Sequence, residues 1–183
     1  MSAENAAGEF DKYKKTITIR DGSTVLLRPI QRNDVDRVLG LFHRFSRETI
    51  YLRFHHVLTE MSRDEAVKYC TINYKNTFAL VATIGEGASE KILALGGYYR
   101  LSQKDAAEFA IVVEDKYQRQ GIGTCLLKEL SVVAKEKGIR FLEGEILVEN
   151  RDMMQIIKDC GFQVAQADEE VANRVVLDLT TYQ

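Results

Sequence analysis

Residues 108–137 read EFAIVVEDKYQRQGIGTCLLKELSVVAKEK, and this stretch decides the fold. Its first part, 109–113, is a short apolar and β-branched run, which is typical of a buried strand. From Ile122 onward the apolar residues recur at helical spacing, at Leu126, Leu127, Leu130, Val133 and Ala134. The hydrophobic period therefore changes across 118–123, and the stretch predicts a strand, a glycine-rich turn and an amphipathic helix.

A glycine-rich turn at the start of a helix is suited to binding phosphate. The first N–H groups of a helix have no partner within it, the positive end of the helix dipole lies behind them, and glycine leaves room near the backbone. A P-loop needs Gly-x-x-x-x-Gly-Lys-Ser/Thr, which the residues after Gly121 do not provide. A dinucleotide fingerprint needs a third glycine where Leu126 stands. The turn thus predicts a different pyrophosphate site, with an ordinary strand–helix turn as the alternative.

The remaining motif, Gln118-x-x-Gly121-x-Gly123, resembles motif A of the GNAT N-acetyltransferases, which binds the pyrophosphate of acetyl-coenzyme A (acetyl-CoA). The resemblance implies acetyl-CoA as co-substrate. It also implies that the strand before the turn pairs with the pantetheine arm, and that a backbone N–H near Val112 or Val113 polarises the thioester oxygen. The cofactor-binding residues expected from it are Ile111, Val112, Val113, Gln118, Arg119, Gln120, Gly121, Ile122, Gly123, Thr124, Asn150 and Met153.

Composition narrows the class of protein. The chain has 183 residues, with 25 basic and 27 acidic side chains, so it shows no basic surface for nucleic acid or anionic membrane. Its three cysteines lie among apolar neighbours and lack metal-ligand spacing, which favours reduced thiols in a cytoplasmic protein. Neither a signal peptide nor a membrane-length apolar run is visible. We expect a soluble cytoplasmic protein without a metal site.

The hydrophobic pattern predicts an α/β (α+β) fold. Residues 1–15 lack an apolar period and are expected to form a disordered tail, while residues 16–183 are expected to form one acetyltransferase domain. Strands are predicted over 16–20, 23–28, 77–84, 91–101, 108–113, 139–148, 162–166 and 173–179. Helices are predicted after Asn33 or Asp34, Ser46, Ser62, Gly121 and Asn150. A crossover through the motif-A helix makes its two flanking strands parallel, within a GNAT-like mixed, mostly antiparallel sheet with helices on both faces.

Glu108 is the only carboxylate in its predicted strand. Strand alternation places Glu108, Ala110 and Val112 on one face. Glu108 lies ten residues before Gln118, close to the position at which many GNAT enzymes carry a general base. A partly desolvated carboxylate there can accept an ammonium proton, directly or through water. Glu108 is therefore the expected catalytic residue; the alternative is an exposed carboxylate at a strand end.

The segment 46–54, SRETIYLRF, follows the first predicted helix. In acetyltransferases this region forms one wall of the acceptor site. The resemblance therefore makes Glu48, Tyr51 and Arg53 the expected substrate-binding residues. The alternative for each is a core aromatic or a solvated charge. His55 and His56 are adjacent and would point in different directions on a helix, so neither is expected to bind metal or act in catalysis.

One departure from the family pattern concerns the general acid. The family frequently carries a tyrosine four residues before Gly-Phe, which protonates the leaving thiolate, but Ile157 stands at that position here. Either water protonates the thiolate, which is a tolerable leaving group with a thiol pKa near ~8.5, or another residue does. Tyr98, Tyr99 and Tyr117 are the alternatives that the sequence leaves open.

The segment SRETIYLRF, Glu108, Met153 and Ile157 together resemble the catalytic domains of bacterial protein lysine acetyltransferases. This resemblance implies direct acetyl transfer, in a ternary complex, to a lysine side chain of a protein, with an acyl-CoA synthetase as the candidate partner. Two alternatives remain open: an acetyltransferase of small-molecule amines, and a non-catalytic domain that senses acyl-CoA.

Overall fold

The computed structural model describes residues 11–102, 105–166 and 171–182. Within them the strands are β1 (Lys15–Thr18), β2 (Thr24–Pro29), β3 (Thr77–Ile84), β4 (Lys91–Arg100), β5 (Ala106–Val113), β6 (Phe141–Leu147), β7 (Gln163–Gln166) and β8 (Ala172–Asp178). The α-helices are α1 (Val35–Phe42), α2 (Arg47–Phe54), α3 (Arg63–Cys70), α4 (Ile122–Glu136) and α5 (Arg151–Asp159).

The strands form one sheet in the order β1-β2-β3-β4-β5-β6-β8-β7. Every neighbouring pair is antiparallel except β5 and β6, which are parallel and are connected through α4. The predicted mixed, mostly antiparallel sheet is therefore confirmed. The strand–turn–helix unit predicted from residues 108–137 is β5, the glycine-rich turn and α4.

Each face of the sheet carries its own core. On one face, the apolar stripe of α4 packs with α5 and the sheet through buried residues that include Leu126, Leu130 and Phe109. On the other face, α1 and α3 pack on β3 and β4 through residues that include Val38 and Val81. The sheet is thus covered by helices on both faces, because its central strands are apolar on both sides.

Three helices begin where their capping residues predict. Ser46 accepts a hydrogen bond from the Thr49 N–H, and Ser62 forms a capping box with Glu65. Asn150 accepts a hydrogen bond from the Met153 N–H. These caps are local interactions, so the sequence alone predicts them. None of the helices in the described part of the chain is long and apolar enough to cross a membrane.

The tail predicted over residues 1–15 is too long. Asp11–Tyr13 form a short 3₁₀ helix, and Lys15 begins β1. The Tyr13 ring packs edge-on against Phe78 at 5.1 Å between ring centroids. Its hydroxyl also donates to the Glu136 carboxylate at 3.1 Å. Tertiary packing therefore orders residues that show no hydrophobic period; residues 1–10 of the predicted tail lie outside the described residues.

The Gly96-Gly97 pair marks a close backbone approach. A Cβ on Gly97 would lie 2.8 Å from the Phe78 carbonyl oxygen, closer than real Cβ contacts. The irregularity between β3 and β4 lies elsewhere, between Ala82 and Thr83. Close packing, and not a bulge, therefore accounts for the glycine at position 97.

Candidate active site

The two parallel strands separate soon after they meet. β5 pairs with β6 only at Ala106, Ala107 and Glu108. Beyond that point β5 continues beside β4 as far as Val113, and β6 continues beside β8 as far as Leu147. The separation leaves a cleft between β5 and β6, with the glycine-rich turn at the same end of the strands.

Backbone groups of β5 face this cleft without a ladder partner. The Glu114 N–H donates to the Leu93 carbonyl, which shows that even-numbered residues here turn their backbone groups towards β4. Because hydrogen-bonding direction alternates along an antiparallel strand, Ile111 and Val113 turn theirs towards the cleft. Of the two donors expected for the thioester oxygen, the alternation favours Val113, together with Ile111, over Val112.

The glycine-rich turn presents a row of backbone donors. Gly121 has φ 95°, a left-handed conformation that favours glycine, and α4 begins at the next residue. Within the described residues, the N–H groups of 119–124 have no hydrogen-bond acceptor. A Cβ on Gly123 would lie 3.0 Å from the Ile156 side chain, so the second glycine allows α5 to pack against the turn. The arrangement suits a pyrophosphate at the positive end of α4.

Two polar side chains of the turn, those of Gln118 and Gln120, form hydrogen bonds within the protein. The Gln118 amide donates to the Thr49 hydroxyl at 2.9 Å and to the Val113 carbonyl at 3.1 Å. Gln120 accepts from the Asp21 N–H at 3.1 Å. Both residues therefore brace the turn through their side chains. The sequence did not indicate these contacts, because the partners on α2 and in the β1–β2 hairpin are distant along the chain.

Two further predicted residues lie beside the cleft. Asn150 and Met153 line it together with Ile111, in a cavity of about 260 Å³. Asn150 also caps α5 through its 3.1 Å bond with the Met153 N–H. The exposed Arg119 guanidinium donates to the Asp152 carboxylate at 2.9 Å, at the N-terminus of α5. The cleft, the turn and α5 thus meet on one side of the molecule.

A second cavity, of about 230 Å³, lies between the sheet and α1–α3. Its lining is mostly apolar and aromatic, including Phe42 and Phe45 of the first helical region. The cavities have four lining residues in common: Arg53, Phe54, Glu108 and Ala110. The end of α2 and the middle of β5 therefore form the boundary between the cleft and the second cavity.

Glu108 lies at this boundary with a hydroxyl donor. The Tyr99 hydroxyl donates to the Glu108 carboxylate at 2.5 Å. This bond raises the pKa of Tyr99 to about 12, with burial as a smaller cause. Tyr99 therefore remains a neutral donor at physiological pH. Nothing in the sequence pattern singled out this pair, although cross-strand register places the two residues opposite each other.

Arg53 is the one predicted acceptor-site residue that reaches the boundary. Its guanidinium is half-buried, stacks over Phe54 at 5.0 Å and has no hydrogen bond or ion pair within the described residues. Burial lowers its pKa, and the nearby Tyr69 and Glu108 partly oppose that shift. Glu48 and Tyr51 lie on the exposed side of α2 and line neither cavity.

Residue 157, where the family frequently carries the tyrosine that acts as general acid, provides no acid in this chain. Ile157 is fully buried and contributes only apolar surface. The Tyr98 hydroxyl is buried too and has no partner among the described residues, and burial raises its pKa. The described residues also contain no cluster of side chains that could hold a metal ion.

Comparison with known proteins agrees with this architecture. The acetyltransferase (GNAT) domain family matches residues 24–163. The chain is 27% identical over 175 residues to acetyltransferase PA5475 of Pseudomonas aeruginosa, covering 96% of this chain and 92% of that one. It is 32% identical over 146 residues to acetyltransferase Pat of Mycolicibacterium smegmatis, covering 79% of this chain. The GNAT domain of S. lividans PAT superposes with a TM-score of 0.83 at 27% identity, covering 91% of this chain and 97% of that one.

These findings define the class of protein. The chain belongs to the GNAT acetyltransferase family. It is an N-acetyltransferase whose co-substrate is acetyl-CoA. The chain spans 43% of the length of the Mycolicibacterium Pat that it matches, so the activity of that whole protein is carried over only as a proposal.

Proposed function

We propose that this enzyme transfers the acetyl group of acetyl-CoA to a lysine side chain of a protein, by direct attack in a ternary complex, with Glu108 as the general base. One observation carries the proposal. Within the described residues Glu108 is the only carboxylate that lines both cavities, and it is also the last β5 residue paired with β6. A base at that boundary lies beside a thioester held in the cleft, and its partly exposed carboxylate can meet an amine that approaches from outside.

The chemistry follows from this placement. The neutral amine attacks the thioester carbonyl carbon, and its proton passes to Glu108 directly or through water. The carbonyl oxygen gains negative charge and accepts hydrogen bonds from the cleft-facing N–H groups of Ile111 or Val113. The C–S bond then breaks. Because Ile157 offers no acid, the leaving thiolate takes its proton from water.

Cofactor binding in this proposal depends on the N–H groups of 119–124, which have no acceptor within the described part of the chain. They bind the pyrophosphate at the start of α4, where the dipole adds to their attraction. Arg119 is exposed beside the turn and supplies a charged donor. The pantetheine arm lies in the cleft against Asn150 and Met153.

The charges around the acceptor site favour a protein acceptor whose surface carries acidic patches. Arg47 is exposed at the start of α2, and neither it nor Arg53 has an ion pair within the described residues. Arg44, by contrast, is paired with Glu114 at 2.8 Å. Arg47 and Arg53 thus form a positively charged rim at the acceptor site. Such a rim repels small polyamines and attracts an acidic protein surface. Similarity to proteins named Pat supports a lysine acceptor, and an acyl-CoA synthetase is the partner that we propose.

Cysteine placement supports a reducing compartment. Cys70 and Cys160 are buried, and Cys125 is half-buried; all three are free thiols. Burial raises the pKa of Cys70 and of Cys160 to about 11, which keeps both protonated. Free cysteines persist where thiols stay reduced, and a cytoplasmic location is therefore part of the proposal.

An acceptor panel tests the function. The purified enzyme would be given acetyl-CoA with an acyl-CoA synthetase, a mixture of cytoplasmic proteins, spermidine and free amino acids, each at equal amine concentration. We expect acetyl-lysine on protein to form fastest. If spermidine or an amino acid is acetylated faster than every protein, the enzyme acts on small molecules. If acetyl-CoA binds but no acceptor is modified, the domain is a sensor.

A further inference from the structure

Three small residues lie side by side on the sheet face that carries α1–α3. Ala79 of β3 pairs with Gly97 of β4, and Gly97 pairs with Ala110 of β5. A Cβ on Gly97 would lie 3.1 Å from the Ala79 Cβ, so the two residues face the same side. The flanking rows carry longer side chains: Thr77, Tyr99 and Glu108 on one side, and Val81, Leu95 and Val112 on the other.

The row of small residues forms a trough, defined here by Ala79, Gly97 and Ala110. It is the floor of the 230 Å³ cavity, and Phe42, Phe45 and Phe54 line the same cavity from the helical side. The trough therefore crosses three strands beneath an aromatic roof. Larger side chains in this row would fill it, as they do in the two neighbouring rows.

The trough opens into the cofactor cleft. Ala110 lines both cavities, and it precedes Ile111, whose backbone faces the cleft. In the proposed reaction the thioester carbonyl lies against this part of β5. The substituent on the carbonyl carbon is then at the mouth of the trough. An acetyl group has a single methyl and leaves most of the volume unused.

We propose that the trough binds the acyl chain of acyl-CoA substrates longer than acetyl-CoA, and that the enzyme transfers such chains as well as acetyl. The inference rests on the proposed function, because it needs an acyl-CoA in the cleft. The bonds are those of acetyl transfer: an amide forms, the C–S bond breaks, and CoA leaves as the thiol. An apolar cavity of roughly 150 Å³ holds a benzene molecule, so 230 Å³ has room for a chain of about six carbons.

The lining favours an acyl chain over the body of the acceptor. Its ionised side chains are Arg53 and Glu108, which both lie at the boundary with the cleft. A cationic acceptor inside the trough would lose its water and find no carboxylate beyond Glu108. A hydrocarbon chain has no charge to desolvate, so it enters the trough without this cost. A protein lysine is carried on a surface, so it meets Glu108 from outside and leaves the trough to the acyl group.

Calorimetry without any acceptor tests the inference. The enzyme would be titrated with CoA, acetyl-CoA, butyryl-CoA and hexanoyl-CoA. We expect affinity to rise with chain length by up to about fourfold for each buried methylene. Ala79→Leu fills the end of the trough farthest from β5, and we expect it to reduce hexanoyl-CoA affinity to that of acetyl-CoA. Butyryl or hexanoyl transfer to the protein acceptor would be measured alongside.

Leu95→Ala is a second variant that tests the trough if Ala79→Leu does not fold. It widens the trough, so we expect the preferred chain to become longer. Equal affinity for all four ligands, with acetyl transfer retained, would overturn the trough and leave the proposed function intact. An increase in the KM for protein acceptor in Ala79→Leu, without any change in acyl-CoA affinity, would assign the trough to the acceptor. Absence of binding of both CoA and acetyl-CoA would overturn the two proposals together.

Discussion

The Tyr99 hydroxyl donates a 2.5 Å hydrogen bond to the Glu108 carboxylate across the β4–β5 pair. The pKa of Tyr99 is raised from its ordinary value of 10.0 to about 12, and this hydrogen bond is the largest cause. Since the folded pKa lies above the unfolded value, the contribution to stability is complete below about pH 10 and is lost as the pH rises through about 12. At neutral pH the bond holds the carboxylate in a fixed position.

Glu108→Gln tests the general base. Glutamine keeps the shape of the side chain but cannot accept a proton, so we expect turnover to fall by ~10²–10⁴. Calorimetric affinity for acetyl-CoA should change little. If turnover persists and only the KM for the acceptor rises, Glu108 binds the acceptor and another group is the base.

Tyr99→Phe is the matched variant for that experiment. It keeps the ring and removes the donor, so the carboxylate remains but its charged form loses a hydrogen bond. We expect a smaller loss of turnover than in Glu108→Gln, because the carboxylate remains but is no longer held in place by the Tyr99 hydroxyl. Unchanged turnover would show that the Tyr99 hydrogen bond does not contribute to catalysis.

Thr124→Asp separates cofactor binding from folding. Thr124 lies in the first turn of α4, beside the free N–H groups. A carboxylate there stabilises the helix by about 0.3–1 kcal/mol, but it repels the pyrophosphate. Like charges about 4 Å apart repel by about 1–4 kcal/mol, so we expect acetyl-CoA affinity to fall about tenfold or more. Calorimetry and thermal unfolding of the same sample measure both effects.

Val132→Asp is the control, because this exposed residue lies on the same helix well away from the turn. It should leave acetyl-CoA affinity unchanged. Gly123 is a poorer target, since any side chain there also meets Ile156. Unchanged affinity in a folded Thr124→Asp enzyme would show that the pyrophosphate lies elsewhere.

Arg47→Glu tests the positive rim. The residue is exposed and lies outside both cavities, so its charge acts on the approach of the acceptor. We expect slower acetylation of protein, a weaker dependence of the rate on salt, and unchanged acetyl-CoA affinity. Arg140→Glu, exposed just before the start of β6, is the control. Equal effects of the two variants on protein acetylation would show that the rim does not attract the acceptor.

Asp34→Asn tests a buried ion network behind α1. The fully buried Asp34 accepts two bonds from Arg28, at 2.7 and 2.8 Å, and one from Arg37 at 3.2 Å. Loss of its charge leaves the Arg28 guanidinium, which is 4% exposed, with Glu90 as its remaining carboxylate partner. We expect the free energy of unfolding to fall by about 3 kcal/mol or more, measured in urea.

Asp36→Asn is the control two residues along. Asp36 forms an exposed pair with Arg63, and such pairs contribute little because water screens them. We expect no measurable change in unfolding. Comparable losses in the two variants would show that burial does not decide the effect.

Local chemistry explains what the sequence predicts well. The change of period at the glycine-rich turn gives β5 and α4, and the side chains of Ser46, Ser62 and Asn150 fix the starts of their helices. Each of these signals depends on residues a few positions apart. The crossover between parallel strands then follows from the order of the elements.

Long-range contacts explain what the sequence misses. Gln118 turns its amide towards Thr49, a residue 69 positions earlier, and no local pattern indicates this contact. The side of α2 that lines the cavities carries Arg53 but neither Glu48 nor Tyr51. The apolar residues of this helix are spread around its axis, so their spacing does not indicate which side faces the site. The trough likewise exists only when three strands are in register.

The pairing between β5 and β6 ends after three residue pairs, so the sheet is joined across its middle by a short seam. β1–β5 lie on one side of that seam, and β6, β8 and β7 lie on the other. In the proposed complex, an acyl-CoA arm bonded to the backbone of Ile111 and Val113 would extend the seam with a strand-like piece that is not protein. Ligand at 100 times its Kd would add about 2.7 kcal/mol to the folding free energy. The co-substrate is then a temporary part of the sheet, and each release of CoA takes that part away.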